Sequence, residues 1–459
     1  MRGSAEVANA GWRPAATALL LAAAFAAATW LKSDLPNNDF ERFEDLRLTV
    51  VFFLLIGAAC IGYAALALDA RAVRGPALVT GGVGAALLLL AAYPVGSKDV
   101  LLYAFTGKIW GTYGANPYVV APASFAADPL HAFFDVGWAD RPSPYGPLFI
   151  WQARLLNSLA GGTFFAAVWL HKSVAVAALG LTVVLGARLL PPGPARLTLL
   201  AWNPLLLFES AASGHNDAVM LLLIVAVVSL HRRGAVSRWR WAPAVLALAI
   251  WYKWYALLFV PVFGIAVARD GGPAELRRWA IAIAAFVAAI GAVLLAPLLA
   301  GVPALAARLG GHEDLRDVLP LQMSPVLQVL YHALSAAGVY ERGSGWLWFD
   351  ALRLALFGAS AAAVLAQQAR GRCDERQAIC LLATAFTMLM FSVLWPWHLQ
   401  MPALFALLSA GVAFEILGVA LTGIALLSYF LTFTWAAASL GLAAAALWTM
   451  RARRPRPRG

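Results

Sequence analysis

The fold class is decided by the stretch Thr163-Phe-Phe-Ala-Ala-Val-Trp-Leu-His-Lys-Ser-Val-Ala-Val-Ala-Ala-Leu-Gly-Leu-Thr-Val-Val-Leu-Gly-Ala187. As an α-helix it is long enough to cross the roughly 30 Å hydrocarbon core of a bilayer. Its apolar and polar residues do not alternate, which argues against a strand. Because lipid offers no partner for backbone N–H and C=O groups, a helix must satisfy them within the segment. The stretch therefore predicts a transmembrane helix.

Comparable apolar runs fill the rest of the chain. Of its 459 residues, 62% are hydrophobic and 12% are charged, and the mean hydropathy is +0.76. A soluble domain is nearer half apolar and one quarter charged. We therefore expect an all-α polytopic integral membrane protein with about 12–14 transmembrane helices, forming a single membrane domain over residues 1–459. The candidate spans are residues 14–31, 48–67, 76–93, 163–187, 196–208, 217–231, 241–252, 254–268, 277–299, 346–367, 376–393, 399–412, 414–431 and 434–450.

The N-terminal run has two interpretations. Arg2 and Arg13 precede its Ala/Leu stretch, as the basic region of a signal peptide would. The apolar stretch is rather long for a signal peptide, and another span follows it instead of a soluble domain. We therefore predict that this run is the first membrane helix.

The net charge of +11 is concentrated in short links between the apolar runs and in the C-terminal tail. Basic links of this kind are typical of cytoplasmic loops, and they also suit contact with anionic membrane lipids. The pattern predicts a multi-pass protein of the cell (plasma) membrane with cytoplasmic N- and C-termini. It argues against nucleic acid as a partner, because the basic residues are spread over the links and form no single binding face.

Two long polar segments fall on the outer side in this topology. They are residues 94–146, a large first external loop with the candidate catalytic residues, and residues 301–345, a second external loop. The stretch 147–160 carries Gln152, Arg154 and Asn157 and is a poor span. We expect it to lie along the membrane interface or to re-enter the membrane from outside.

The first external loop begins with a carboxylate at the membrane surface. Asp99 follows the end of a span, and a helix starting there would place Asp99, Tyr103 and Thr106 on one face. The carboxylate would then lie at the level of the lipid head groups. Alternatively, Asp99 only marks the end of the span or caps the N-terminus of the helix. The spacing alone does not separate these two interpretations.

Two other segments bring polar side chains to the same side. Three prolines and a glycine in residues 140–147 predict a stiff turn that presents Tyr145, although a plain boundary between a loop and a helix is the alternative. Ionisable residues near membrane depth usually face a cavity or a partner. In residues 202–217 these candidates are Glu209 and the turn residues His215, Asn216 and Asp217, and the three turn residues could bind sugar hydroxyls or a cation. A simple capping turn with Asn216 or Asp217 as the cap is the alternative.

Lys253 stands among four aromatic residues near the outer end of two short predicted helices. An anionic phosphate is the natural partner of such a lysine. The competing view is that the lysine extends to the head groups while the aromatic residues form an interfacial belt. His171 and Lys172 belong to the same class of ionisable residues inside a span, and His398 follows an aromatic turn that could line a cavity.

The order of these parts resembles the GT-C superfamily of polyprenyl-phosphate-sugar-dependent glycosyltransferases. More narrowly, it is similar to the polyprenyl-phosphomannose-dependent α-mannosyltransferases. The resemblance covers about residues 95–260 and is carried by an ordered set of motifs. They are Lys98-Asp-Val-Leu-Leu-Tyr103, Gly114-Ala-Asn-Pro-Tyr118, Ser143-Pro-Tyr-Gly-Pro-Leu148, Gly214-His-Asn-Asp-Ala218 and the lysine of Trp251-Tyr-Lys253.

The resemblance implies that Asp99 is the catalytic base of an inverting sugar transfer. The donor would be a polyprenyl-phosphate sugar, with mannose as the expected sugar, and the acceptor a glycan or glycolipid at the outer face. Some branches carry a paired acidic motif, whereas here Lys98 precedes Asp99, so we expect a single base. We expect no cofactor and no required metal, with a divalent cation left open. The implied donor phosphate and lipid ligands are Lys253, Lys172 and His171, and the implied substrate ligands are Tyr103, Tyr145, Glu209, His215, Asn216, Asp217 and His398.

A flippase or secondary transporter of lipid-linked saccharides is the main alternative function. A transporter would use polar residues through the whole membrane depth and from both sides. Here the predicted cytoplasmic links are short and basic, while the chemically varied residues gather outside. A non-catalytic membrane scaffold, the second alternative, would not need Asp99, His215 and Lys253 close together. The sequence therefore favours the enzyme.

Overall fold

The computed structural model describes residues 46–68, 76–91, 94, 97–128, 139–190, 194–234, 240–309, 325–338, 346–391 and 394–429. Within these ranges the regular elements are helices, without a β-strand. The predicted all-α class is therefore confirmed. The predicted spans 14–31 and 434–450 lie outside the described residues, as does much of the second external loop.

The helices are numbered in chain order. We number them α1 Leu46–Leu68, α2 Pro76–Ala91, α3 Asp99–Gly111, α4 Pro147–Leu159, α5 Phe164–Leu189, α6 Pro194–Ala201, α7 Pro204–Leu207, α8 Asp217–His231, α9 Ala242–Tyr252, α10 Val260–Leu295, α11 Val302–Leu309, α12 Pro325–Ala336, α13 Trp346–Ala369, α14 Glu375–Met390, α15 Gln400–Leu408 and α16 Val412–Leu427. A π-helical turn, Phe208–Ala212, follows α7, and shorter 3₁₀ turns include Trp254–Phe259 and Pro396–Leu399.

Among the described residues, three helical segments are long and apolar enough to cross a membrane by length and composition. They are Phe164–Leu189, Trp254–Ala306 and Phe349–Ala369. Several other described helices are apolar but shorter, such as Asp217–His231 and Ala242–Tyr252. The described elements support the predicted polytopic membrane fold, while the total of about 12–14 spans and the orientation of the chain stay predictions.

The second long segment, Trp254–Ala306, contains a break at the basic link predicted between two spans. Helix α10 runs through residues 260–295, but Gly272 has φ 75° and ψ −171°, and Pro273 follows it. A positive φ suits glycine, and proline cannot donate the helical hydrogen bond at the next position. A Cβ atom at Gly264 would lie 3.5 Å from the Trp279 ring, whereas a continuous helix would hold these two residues about 22 Å apart along its axis. The chain therefore turns back at Gly272, and the predicted spans 254–268 and 277–299 belong to two separate helical halves.

The stretch predicted to lie along the interface or re-enter the membrane forms helix α4. Pro147 occupies its first turn, where a missing N–H costs nothing. Helix α4 packs against α3 and also contacts α5, α9 and α10. Its exposed face carries Leu155 and Leu159 beside Ser158, and exposed apolar side chains of this kind suit contact with lipid. Its depth in a bilayer stays a prediction.

The helices that carry the polar residues meet at one end of the packed core. Helix α3 contacts α4 and α5, α8 contacts α5 and α9, and α9 contacts α10. The π-helical turn Phe208–Ala212 lies against α2 and α5. Helix starts and turns from separate parts of the sequence are therefore brought together around the N-terminus of α3.

Candidate active site

Asp99 is the first residue of α3, and its carboxylate is held by the helix that it begins. The Tyr103 hydroxyl donates to Asp99 Oδ2 at 3.3 Å, as expected for residues one helical turn apart. Lys98 is the N-cap residue, and no side-chain capping bond is present. Asp99 therefore does not act as the helix cap, and its side chain keeps 20% of its surface exposed. A partly exposed carboxylate in this position can meet a substrate.

Tyr103 is fully packed and connects the first loop with the Gly-His-Asn-Asp turn. Its hydroxyl oxygen lies 3.3 Å from Asn216 Oδ1 as well as from Asp99, so two acceptors share one proton. The Tyr145 hydroxyl donates to the Tyr103 oxygen at 3.4 Å, and the two rings pack edge to face at 5.3 Å. The residues predicted in three separate motifs are thus in contact.

Gly214 makes the turn that carries His215 into the interior. Its φ is +74°, and a Cβ atom there would lie 2.8 Å from Lys172 Cγ and 3.1 Å from Val100 Cγ2. Another residue would be strained by both the backbone angle and the contact. The turn leaves the His215 side chain with no exposed surface, and Nδ1 lies 3.6 Å from Asp99 Oδ2. A glycine therefore permits the close approach of histidine and carboxylate.

Glu209 reaches the opposite edge of the same imidazole. It lies in the π-helical turn that follows α7, and π-turns often accompany functional sites. Its Oε2 lies 3.3 Å from His215 Nε2, and both side chains are fully buried. This contact has the distance of an ion pair, although its angles are outside those of a hydrogen bond. Tyr429 donates its hydroxyl to Glu209 Oε1 at 2.9 Å.

Lys253 is brought to the site by a break between α9 and the following 3₁₀ turn. Its backbone is extended, with φ −141° and ψ 122°. The ammonium nitrogen lies 2.7 Å from Asp217 Oδ1 and 5.6 Å from the centre of the Tyr145 ring. The Tyr145 loop is fixed against the same break, because Gly146 N–H donates to the Tyr252 carbonyl at 3.3 Å and Trp254 Nε1–H to that of Pro144 at 3.1 Å.

The capping interpretation of the Gly-His-Asn-Asp turn does not match the geometry. Asn216 is the N-cap residue of α8, but it makes no side-chain capping bond and has helical backbone angles. Its amide oxygen accepts from Tyr103 instead, and Asp217 pairs with Lys253. Both side chains therefore serve contacts between elements rather than the end of their own helix.

The electrostatics of the site suit a base that works near neutral pH. Burial raises the pKa of Asp99 from 3.8 to about 6, and the Lys253 ammonium opposes that rise. Burial is also the main reason that the pKa of His215 is lowered, and Lys253 lowers it further. Above about pH 6, Asp99 is thus mainly ionised beside a neutral imidazole.

Three of the predicted residues lie at the edge of this group. The His171 ring is buried 6.0 Å from the Tyr103 ring. The Lys172 ammonium donates to the Leu89 carbonyl at 3.0 Å, so only the stem of this lysine reaches the turn at Gly214. His398 stacks on Phe391 at 3.8 Å. The position of Lys253 therefore suits the predicted phosphate-binding role better than the position of Lys172 does.

Two clefts are each bordered by a residue that contacts Lys253. The first is bordered by Asp217 and His398 and is otherwise mostly apolar, with Leu221, Tyr255, Ala383, Phe386, Thr387, Phe391, Trp397 and Met401. The second is bordered by Tyr145 and is more polar, with Leu102, Thr106, Ile109, Pro117, Pro122, Arg141, Pro142, Ser143 and Pro144. Asp217 and Tyr145 both contact Lys253, so the two clefts approach the same ammonium group.

Sequence reasoning missed three residues that hold the site together. Trp397 stacks on the His215 ring at 4.2 Å with an interplanar angle of 24°; its motif was noted, but only for His398. Tyr429 contacts Glu209 from 220 residues away, and nothing in its own neighbourhood indicates this. Ser97, which accepts from the Asp99 N–H at 3.1 Å, could have been found from its position two residues earlier.

Comparison with known proteins places the chain among mannosyltransferases. It is 37% identical over 177 residues to an Alpha-(1->6)-mannopyranosyltransferase of Mycobacterium tuberculosis, covering 35% of this chain and 29% of that protein. It is 32% identical over 195 residues to a probable Alpha-(1->6)-mannopyranosyltransferase of Mycolicibacterium smegmatis, covering 40% and 34%. The matched part thus spans about one third of the length of these relatives. No solved structure matches the chain.

The family model described as Alpha-(1->6)-mannopyranosyltransferase, N-terminal domain, matches residues 12–269. This range includes Asp99, His215 and Lys253, together with the helices that place them. The match covers more than half of the 459 residues. The chain therefore belongs to the Alpha-(1->6)-mannopyranosyltransferase family.

Proposed function

We propose that this protein transfers a mannosyl residue from a polyprenyl-phosphate donor to a hydroxyl group of a glycan or glycolipid acceptor at the outer face of the membrane. The main support is the group formed by Asp99, Tyr103, His215 and Lys253 in a chain that belongs to a mannosyltransferase family. A base and a cation joined by a short series of contacts suit transfer from a phosphate leaving group.

Asp99 is the proposed general base. As the acceptor oxygen attacks the anomeric carbon, the carboxylate takes the proton of that hydroxyl. A pKa of about 6 leaves the carboxylate ionised at neutral pH while making it a stronger proton acceptor than an ordinary aspartate. General bases of this kind contribute about 10²–10⁴-fold to the rate.

Lys253 is the proposed partner of the leaving phosphate. Its ammonium group has three donors, and Asp217 Oδ1 takes one of them. The other donors can stabilise the charge that develops on the departing lipid phosphate. Asp217 would hold the ammonium in place between turnovers.

Each substrate is assigned to one of the two clefts, which would widen on binding because their free space holds little more than water. The mostly apolar cleft beside Asp217 and Phe386 is the proposed place for the first part of the prenyl chain. The more polar cleft beside Tyr145 and Arg141 is the proposed place for the acceptor sugar. Direct displacement of the lipid phosphate by the acceptor oxygen would invert the anomeric centre, so that a β-linked donor gives an α-linked product.

The test is transfer by purified protein in detergent micelles. Labelled polyprenyl-phosphomannose and a mannoside acceptor should give a longer glycan, whereas a nucleotide-linked mannose should give none. Micelles have no second compartment, so product formation separates an enzyme from a flippase. Asp99→Asn should abolish most transfer, and Asp140→Asn, at an exposed carboxylate with no proposed role, should leave it intact. No product from the wild-type protein would refute the proposal.

A further inference from the structure

His215 lies between two carboxyl groups, and each of its ring nitrogens faces one of them. Nδ1 is 3.6 Å from Asp99 Oδ2, and Nε2 is 3.3 Å from Glu209 Oε2. Only Asp99 keeps exposed surface, since the side chains of His215 and Glu209 have none. The substrate can thus reach one end of this row of three groups, and the other two groups lie behind it.

Neighbouring side chains fix the orientation of the row. The His215 ring stacks on Trp397 at 4.2 Å, which restricts rotation of the imidazole. Tyr429 donates to Glu209 Oε1 at 2.9 Å, which leaves Oε2 directed at the histidine. Gly214 brings the backbone close enough for this arrangement. Such support is typical of residues that orient a reactive group.

The chemistry of the imidazole explains how it can serve both neighbours. A neutral imidazole has one N–H donor and one acceptor nitrogen. Nδ1–H can donate toward the Asp99 carboxylate while Nε2 accepts from a protonated Glu209. Complete burial favours the uncharged form of a carboxyl group, and Glu209 has no exposed surface.

Two other ionisable groups near His215 also favour the neutral form of its imidazole. Lys253 and His398 both disfavour a charged imidazole. Tyr103 places its hydroxyl 3.5 Å from Nδ1 and contacts the same Asp99 oxygen as the histidine does. Two contacts on Oδ2 restrict rotation of the Asp99 carboxyl group.

We propose that His215 and Glu209 are positioning residues that hold the Asp99 carboxylate in the orientation needed to accept a proton from the acceptor hydroxyl. The inference rests on the proposed function and assigns a role to two residues behind the base. Contacts of 3.3–3.6 Å are long, and such contacts often shorten once a substrate fills the site.

Paired substitutions test the roles of the two ring nitrogens. In His215→Asn the amide nitrogen replaces Nδ1, whereas His215→Ala removes both nitrogens. We expect His215→Ala to lower kcat about 10–100-fold with KM unchanged, as for a misplaced base, and His215→Asn to restore part of that loss. Glu209→Gln keeps a donor toward Nε2 and should stay close to wild type, while Glu209→Ala should lower kcat about 10-fold.

The matched control is His231→Ala, because His231 is also buried and lies at the far end of the same helix α8. It should leave kcat and KM unchanged. If Asp99→Asn loses transfer while His215→Ala keeps the wild-type kcat, the positioning role is wrong and the proposed function stands. If Glu209→Gln is as inactive as Glu209→Ala, the donor role of Glu209 is wrong.

An infrared titration provides a readout that needs no turnover. The Asp99 carboxyl band is the one missing in Asp99→Asn, and in the wild type it should titrate near pH 6. Loss of the Nδ1 donor should move this midpoint to higher pH in His215→Ala, and His231→Ala should not move it. An unchanged midpoint in His215→Ala would overturn the proposal, even if no transfer is detected in any variant.

Discussion

The Lys253 ammonium has two partners in this account, the Asp217 carboxylate and the leaving phosphate. Replacing Lys253 by methionine removes the cation from both. The ammonium lies 2.7 Å from Asp217 Oδ1, and the two side chains are 13% and 8% exposed. Removing one member of such a pair leaves a buried carboxylate without its cation, which costs about 3–5 kcal/mol. Lys253→Met should therefore lower the free energy of unfolding by about that amount. The double variant Lys253→Met/Asp217→Asn should recover most of the loss.

The same substitution should impair catalysis for a different reason. If the ammonium stabilises the leaving phosphate, its loss should lower kcat about 10²–10³-fold, and the double variant should recover no activity. Lys253 also holds down the pKa of Asp99, so the acid limb of the kcat–pH profile should move to higher pH. The assays are thermal unfolding in detergent and initial rates of mannosyl transfer from pH 5 to 8. Full activity in a stable double variant would refute the phosphate role of Lys253.

Three further predictions concern Asp99 and the turn beside it. Because the base must be ionised, kcat should fall as the pH drops through about 6; a profile flat down to pH 4.5 would contradict this. The folded-state pKa of Asp99 is raised above 3.8, so its ionisation opposes folding at pH 7. Asp99→Asn should therefore raise the unfolding free energy by up to about 3 kcal/mol. Thermal unfolding measures this, and a lower melting temperature in Asp99→Asn would count against it. Gly214→Ala should cost more stability than Gly338→Ala in the same assay. Both glycines have a positive φ, but only at Gly214 would the added Cβ atom also crowd Lys172 and Val100. Equal losses would show that this crowding is unimportant.

The fold class and the contacts within one helix could be predicted from the sequence. Apolar runs without alternation predicted helices because the lipid demands internally satisfied backbones. The contact between Asp99 and Tyr103 followed from their i, i+4 spacing. The two helical halves on either side of Gly272 were predicted as separate spans, because a basic link divides their apolar runs.

The contacts between distant segments could not be read in the same way. The pairing of Lys253 with Asp217 was missed, and each residue was assigned its own ligand instead. The row from Asp99 through His215 to Glu209 depends on the turn at Gly214 and on a π-turn, and neither has a helical or strand period. Tyr429 completes the row from the other end of the chain. Ordered motifs thus indicated which residues matter, and packing decided which of them touch.

The central claim is that Asp99 takes the proton of the acceptor hydroxyl, and a single-turnover measurement tests it most directly. Purified wild-type protein and Asp99→Asn would be mixed with labelled polyprenyl-phosphomannose and excess acceptor at pH 7.5, with donor binding measured separately. We expect unchanged donor affinity and a chemical step about 10²–10⁴-fold slower in Asp99→Asn. Equal single-turnover rates for the two proteins would show that Asp99 is not the base.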